Sequence, residues 1–220
     1  MSDEFAARVA QLRRSYELAG LGEDDLDPDP VAMFGRWFDE AQAGGVLEPN
    51  AMVLSTLGES GPSSRTVLLK AIEPDGFVFY TNYASRKADE LAAAPACALL
   101  FPWYALQRQV RVEGVAEPVD RATSVAYFAT RPRGSQLGAW ASVEPVVQSG
   151  VVADRAALEA SYTDVEARFA GGEVPCPPAW GGYVVRPDAI EFWQGRTGRM
   201  HDRLRYRRVA AGWVIERLAP

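Results

Sequence analysis

Residues 51–82 read AMVLSTLGESGPSSRTVLLKAIEPDGFVFYTN, three short apolar runs separated by Gly, Ser, Pro and Asp. The runs AMVLSTL, RTVLLKA and GFVFYTN are rich in Val, Phe, Tyr and Thr, and turn formers fill the gaps, so the stretch predicts successive β-strands rather than helix. Working outward, ACALLF at 96–101 and QRQVRVEGVAEPV at 107–119 continue the pattern. Several short, closely spaced strands predict an antiparallel barrel. The last third returns to strands at WGGYVVRP (180–187), AIEFWQG (189–195), DRLRYRR (202–208) and GWVIERL (212–218), with turns expected at Pro187-Asp188 and Ala211-Gly212.

Helical signals flank these runs. Asp29 can cap a helix whose first turn holds Pro30; Val31, Phe34, Phe38 and Ala41 recur on one face, and Gly44-Gly45 stops it. DRATSVAYFAT (120–130) and ADRAALEASYTDVEARFAGG (153–172) are two more helices, the second with a stripe of Leu158, Tyr162, Val165 and Phe169. No repeat or linker divides the chain, so residues 1–220 are expected to form a single α+β domain, mainly β, with 1–28 as an N-terminal helical segment.

Composition narrows the function. At 220 residues and 48% hydrophobic content there is enough chain for one sizeable core. A net charge of -6 argues against nucleic-acid binding, which needs a broad basic face. No apolar run approaches the ~18–20 residues that span a bilayer, and the opening residues lack the apolar core of a signal peptide, so a soluble, cytoplasmic protein is expected. Cys97 and Cys176 read as unpaired thiols of a reducing compartment. One histidine, without CxxC or HxxxH spacing, makes a protein-built metal site improbable. Adjacent His201 and Asp202 on a strand would point to opposite faces, which disfavours a hydrolytic triad, and no GxGxxG follows a strand.

Local positive charge is what remains. EFWQGRTGRMHDRLRYRR at 191–208 places His201 within the densest arginine cluster, suited either to a discrete small anion or to blunting an edge strand. Only Lys70 and Lys87 among the 23 basic residues are lysines. Arg65 and Lys70, five apart on an expected strand, would face opposite sides. In YTNYASRKADEL, Ser85 resembles a helix cap followed by Arg86 and Lys87, cations that oppose the helix dipole unless an anion docks on the free amides. Tyr80, Thr81, Ser85, Arg86 and Lys87 thus make a candidate phosphate cradle. Tyr127, Arg131, Arg133 and Ser135 make a second, around the end of a helix and a proline-bounded loop, although arginines there are favourable without any ligand.

The runs RTVLLK, FYTNYASRKADEL, LLFPWYALQRQVRVEG, YFATRPRGSQLGAW, WGGYVVRPDAIEFWQGR, RMHDRLRYRR and IERLAP, with LRRSY near the start, together resemble the pyridoxine (pyridoxamine) 5'-phosphate oxidase family over nearly the whole chain. The resemblance implies an FMN-binding split β-barrel with flanking helices and a homodimer with FMN between subunits. It implies oxidation of pyridoxine or pyridoxamine 5'-phosphate by O2 to pyridoxal 5'-phosphate, with H2O2 released. The FMN contacts it implies are Arg65, Thr66, Val67, Leu68, Leu69, Lys70, Tyr80, Thr81, Arg86, Lys87, Gln109, Gln148, Ser149, Trp193 and Arg203. Substrate contacts would be Lys70, Tyr127, Arg131, Ser135, Arg199 and His201, the last two in catalytic roles and sharing a strand face. Arg13 and Tyr16 match positions that cover the bound substrate, making the first segment a lid. One departure is VEPVV, which separates GAWAS from Gln148-Ser149. A split-barrel reductase using FMN or a deazaflavin, and a vitamer carrier without turnover, are the alternatives; the second basic cluster, RPRGS with RMHDR, argues against the reductase.

Overall fold

The computed structural model describes Tyr16, Leu18 and residues 20–143 and 146–220. Two compact units divide them. One comprises the described residues up to Pro49 with Pro102–Val110 and Ile190–Pro220; the other comprises Asn50–Phe101 and Arg111–Ala189. The strands are β1 (Ala51–Gly58), β2 (Gly61–Leu68), β3 (Ala71–Glu73), β4 (Gly76–Asn82), β5 (Ala96–Trp103), β6 (Arg108–Pro118), β7 (Trp180–Gln194), β8 (Asp202–Val209) and β9 (Gly212–Arg217).

Along the main path of the sheet the strands run in the order β2-β1-β5-β6-β7-β4-β3. The path has two ends, so the antiparallel sheet expected from the sequence is open, a split barrel rather than a closed one. β1 and β2 pair from Ala51↔Leu68 to Gly58↔Gly61, leaving a two-residue turn at Glu59-Ser60. β2 therefore starts four residues before the expected RTVLLKA. Pro62, Ser63 and Ser64 look like turn residues, but Ser64 meets Ser55 through hydroxyls 2.9 Å apart, a cross-strand bond that takes the place of apolar packing. β2 also ends early: Lys70 lies between β2 and β3, so Arg65 and Lys70 do not share a strand as expected.

β7 overturns another expectation, because it runs without a break through Pro187-Asp188, where a turn was expected. A Cβ at Gly114 on β6 would lie 2.0 Å from the Arg186 carbonyl oxygen, so glycine is what lets the two backbones pass this closely. Beneath the sheet Met52, Leu54, Phe77, Phe79, Leu99, Val112 and Val185 are fully buried.

The helices are α1 (Pro30–Ala43), α2 (Arg86–Ala93), α3 (Arg121–Ala129), α4 (Arg133–Ala141) and α5 (Arg155–Arg168). Asp29 caps α1 as expected, accepting the Val31 N–H at 2.9 Å, and Gly45 follows it at φ 71°. Its buried face, Pro30, Met33, Phe34, Trp37 and Ala41, is centred a little away from the expected stripe, with Val31 and Phe38 only half-buried. In the first unit this face meets aromatic partners: Phe34 lies 5.8 Å from Trp103, and Trp37 lies 5.2 Å from Phe192. α5 likewise buries Ser161 and Val165 while Leu158 stays exposed.

α4 was expected to be a loop. Pro132 occupies its cap position, where a missing N–H costs nothing, and the apolar residues inside it, Leu137 and Ala139, join Phe128, Val165, Val174 and Trp180 in a second core under α3–α5. Burying Phe128 and Leu137 contributes about 1.5–3 kcal/mol each. No helix among the described residues is long and apolar enough to cross a membrane.

Candidate functional site

The second core and the ends of β2 and β4 surround a cavity of about 440 Å³, wholly within the second unit. Its floor is aromatic. Tyr80 from β4 stacks on Tyr127 from α3 at 4.0 Å, and on Trp180 at the start of β7 at 5.3 Å. The Arg131 guanidinium lies 4.8 Å over the Trp180 ring. The guanidinium is partly desolvated there, and burial lowers its pKa from the ordinary value. Arg131 Nη1 is buried and has no hydrogen-bond partner. A buried charged donor left unpaired costs ~1–3 kcal/mol or more, a cost that an anion in the cavity would remove. Lys70, Tyr127 and Ser135 line the same space. Arg133, counted with them in the sequence, turns away and donates to the Phe169 and Gly172 carbonyls at 2.6 and 2.8 Å.

Thr66, Val67, Leu68, Thr81 and Lys87 line the cavity as well. Ser85 precedes α2, yet its hydroxyl caps no backbone amide; it receives Lys87 Nζ at 3.1 Å, and Thr81 Oγ1 receives it at the same distance. The Lys87 ammonium thus folds back toward the strand instead of extending along the helix. Burial and the nearby Arg65 lower its pKa. Arg65 and Arg86 do not line the cavity, and both pair with Glu90, each at 2.8 Å. Glu90 is buried at 6% exposure, and sequence reasoning passed over it; the signal was its i,i+4 spacing from Arg86. Hydrogen bonds from Thr56, Ser63, Arg86 and Arg65 hold its carboxyl at a pKa of about 2. A depressed carboxyl contributes stability that is complete above its ordinary value of 4.5 and is lost as the pH falls toward about 2. Glu90→Gln should therefore flatten that part of the acid-unfolding curve, read by near-ultraviolet circular dichroism; an unchanged curve would show the carboxyl not to be linked to folding.

Gln148 reaches the cavity despite the intervening VEPVV: its backbone N–H donates to the Ser142 carbonyl at 3.0 Å, and Asn82 Nδ2 donates to the same oxygen at 2.7 Å. Leu69 is buried, and the exposed Ser149, at φ 74°, does not line the cavity. Trp180, Asn82 and Ser142 line it without having been singled out in the sequence.

The other expected residues belong to the first unit. His201 lies 4.6 Å from Trp193 and 5.7 Å from Tyr16 between ring centres. Its Nδ1 accepts the Arg196 N–H at 3.1 Å, so the neutral ring carries its proton on Nε2. Arg199 and His201 do not share a strand face. Gly198 and Arg199 are both left-handed, at φ 63° and 62°, within the short segment Thr197–Arg199, and β8 does not begin until Asp202. Arg203 grips the buried Glu191 through two bonds of 2.7 and 3.2 Å and donates to the Ala219 carbonyl at 2.9 Å. Gln109 is half-buried on β6, and Arg13 lies outside the described residues.

The described residues thus form an open antiparallel split barrel whose pocket gathers Lys70, Lys87 and Arg131 in an acidic chain. The family model described as pyridoxamine 5'-phosphate oxidase matches residues 38–169, and that of the pyridoxine 5'-phosphate oxidase C-terminal dimerisation region matches 180–220. The chain belongs to the pyridoxine/pyridoxamine 5'-phosphate oxidase family of enzymes. It is 62% identical over 213 residues to the pyridoxine/pyridoxamine 5'-phosphate oxidase of Nocardioides sp., covering 96% of this chain and 98% of that one. The enzyme of the same description from Rubrobacter xylanophilus is 58% identical, with 96% of each chain covered. Among solved structures, PhzG from Burkholderia lata 383 in complex with tetrahydrophenazine-1-carboxylic acid is similar at a TM-score of 0.85 and 30% identity, covering 94% of this chain and all of that one. An FMN-binding protein from Nostoc punctiforme, at 17% identity, 0.68 TM-score and coverages of 89% and 98%, shares the fold.

Proposed function

We propose that the protein oxidises pyridoxine 5'-phosphate or pyridoxamine 5'-phosphate to pyridoxal 5'-phosphate with O2, using FMN and releasing H2O2, with ammonia as a further product from the amine. The observation that carries this reading is the buried, unpartnered Nη1 of Arg131 in a cavity that also holds Lys70, Tyr127 and Ser135. That set fits the phosphate of a B6 vitamer. Lys87, Thr81, Thr66 and Gln148 fit the flavin part, with Arg65 and Arg86 close to it in sequence. When bound, FMN supplies the two-electron acceptor for hydride removal at the substrate C4' carbon.

The residues of the chain bind, orient and exclude water. The stacked Tyr80, Tyr127 and Trp180 make one wall of the cavity flat and apolar, which suits an aromatic ring. Arg199 orients and polarises the substrate ring, and His201 donates a hydrogen bond through Nε2–H. Arg13 and Tyr16 cover the bound substrate. Arg203 and Trp193 complete the flavin contacts, with Arg203 acting from its ion pair with Glu191. The match to a dimerisation region supports a homodimer, and the unpaired thiols support a cytoplasmic setting.

Flavin released by heating the purified protein should be FMN, and anaerobic addition of pyridoxine 5'-phosphate should bleach the bound flavin's visible absorbance until air is admitted. Release of FAD, or failure to take up any flavin on reconstitution, would overturn the reading. A spectrum that responds to substrate without peroxide appearing in air would point to a vitamer carrier.

A further inference from the structure

Glu90 accepts hydrogen bonds from four residues on β1, β2 and α2, and two of these directly precede residues that line the pocket: Arg65 precedes Thr66, and Arg86 precedes Lys87. Thr56 donates to Oε2 at 2.5 Å, and Ser63 donates to both carboxylate oxygens at 2.8 and 2.7 Å. Arg65 Nη2 and Arg86 Nε complete the set, each at 2.8 Å. Room for the carboxylate is provided at Gly58, where a Cβ would come within 2.9 Å of Oε1. One acidic group, anchored to the β1–β2 hairpin, thus fixes the direction of two guanidinium groups from different elements.

We propose that Glu90 is a positioning residue for the flavin phosphate, holding Arg65 and Arg86 in place before the phosphate arrives. The inference rests on the reading of this pocket as an FMN site. Charge supports it. Arg65, Arg86 and Lys87 with Glu90 sum to +2, which matches the -1.5 to -2 or so of a phosphate monoester near neutrality. Without the carboxylate the three cations would repel one another, and the two arginines would sample other rotamers, so that binding would have to order them again.

Glu90→Gln keeps the shape but sets an amide N–H₂ against donors, so at least one of its partners must turn away. The extra positive charge it leaves acts in the opposite direction, toward tighter phosphate binding. Arg86 is mostly exposed, and screening by water and salt makes that gain the smaller effect. The experiment compares FMN with riboflavin, which lacks the phosphate, by quenching of flavin fluorescence on apoprotein. The wild-type chain should prefer FMN strongly, and Glu90→Gln should reduce that preference by about tenfold or more while riboflavin affinity moves by less than about threefold. Ser63→Ala, which loosens Glu90 without touching a charge, should reduce the preference in the same direction and serves as the deciding variant if Glu90→Gln does not fold. An unchanged or increased preference in the folded variant overturns the inference alone. A wild-type protein that does not prefer FMN overturns the flavin reading and this inference together.

Discussion

Arg131→Met is expected to raise the KM for pyridoxine 5'-phosphate by about a hundredfold while FMN affinity stays within about threefold. A charged hydrogen bond to phosphate in a partly desolvated pocket is worth on the order of 3 kcal/mol, and 1.4 kcal/mol is tenfold in affinity. Methionine is chosen because the guanidinium also packs 4.8 Å over Trp180, and a thioether keeps an apolar, polarizable contact with that ring. The substitution also removes a buried donor that has no partner, so the variant without ligand should melt at the wild-type temperature or above it. A loss of binding with no loss of stability separates a ligand contact from a structural one. If FMN affinity collapses while KM is unchanged, the two phosphate positions have been exchanged; if both are unchanged, Arg131 has no ligand.

The elements that the sequence made legible are those in which local chemistry and burial agree. The β1 and β4 runs are apolar with β-branched residues, β5 is an apolar run, β6 alternates buried Val110 and Val112 with polar residues, and α1 has a cap, a first-turn proline and a glycine stop, so each announces itself. The misreadings fall where tertiary contacts override local signals. Pro132, Gly134 and Gly138 disguise α4, which forms because Leu137 and Ala139 have Phe128 and Trp180 to pack against. Pro187-Asp188 reads as a turn, yet the close approach permitted by Gly114 carries β7 through it.

The site follows the same division. Arg65, Arg86 and Arg131 were visible as cations, whereas the groups that aim them were not: Glu90, which pairs with the first two, reads as an ordinary surface residue of α2, and Trp180, under Arg131, as the first residue of a strand. Burial and partners decide both roles, and neither is written in residue type or spacing. The left-handed turn at Gly198-Arg199 is a similar case, since Gly198 hints at it but Arg199 at φ 62° does not.

Arg199→Met is expected to lower kcat/KM by roughly two orders of magnitude, about 3 kcal/mol, and His201→Asn by several-fold only. Arg199 holds a permanent charge, so its loss removes both orientation and polarisation of the substrate ring in the transition state. Methionine inherits the same φ of 62° as arginine, so the backbone cost is common to both proteins and the comparison isolates the side chain. His201 differs because its Nδ1 is already engaged by the Arg196 N–H at 3.1 Å, which leaves a protonated Nε2 and no free lone pair in the neutral ring. A general base needs that lone pair; a hydrogen-bond donor does not. Asparagine keeps a donor, so most of the rate should survive, and the pH profile between pH 6 and 9 should keep its shape. With flavin occupancy checked in each variant, a His201→Asn enzyme impaired more than Arg199→Met, and flat across that pH range, would make His201 an obligatory base and require its bond to Arg196 to break during turnover.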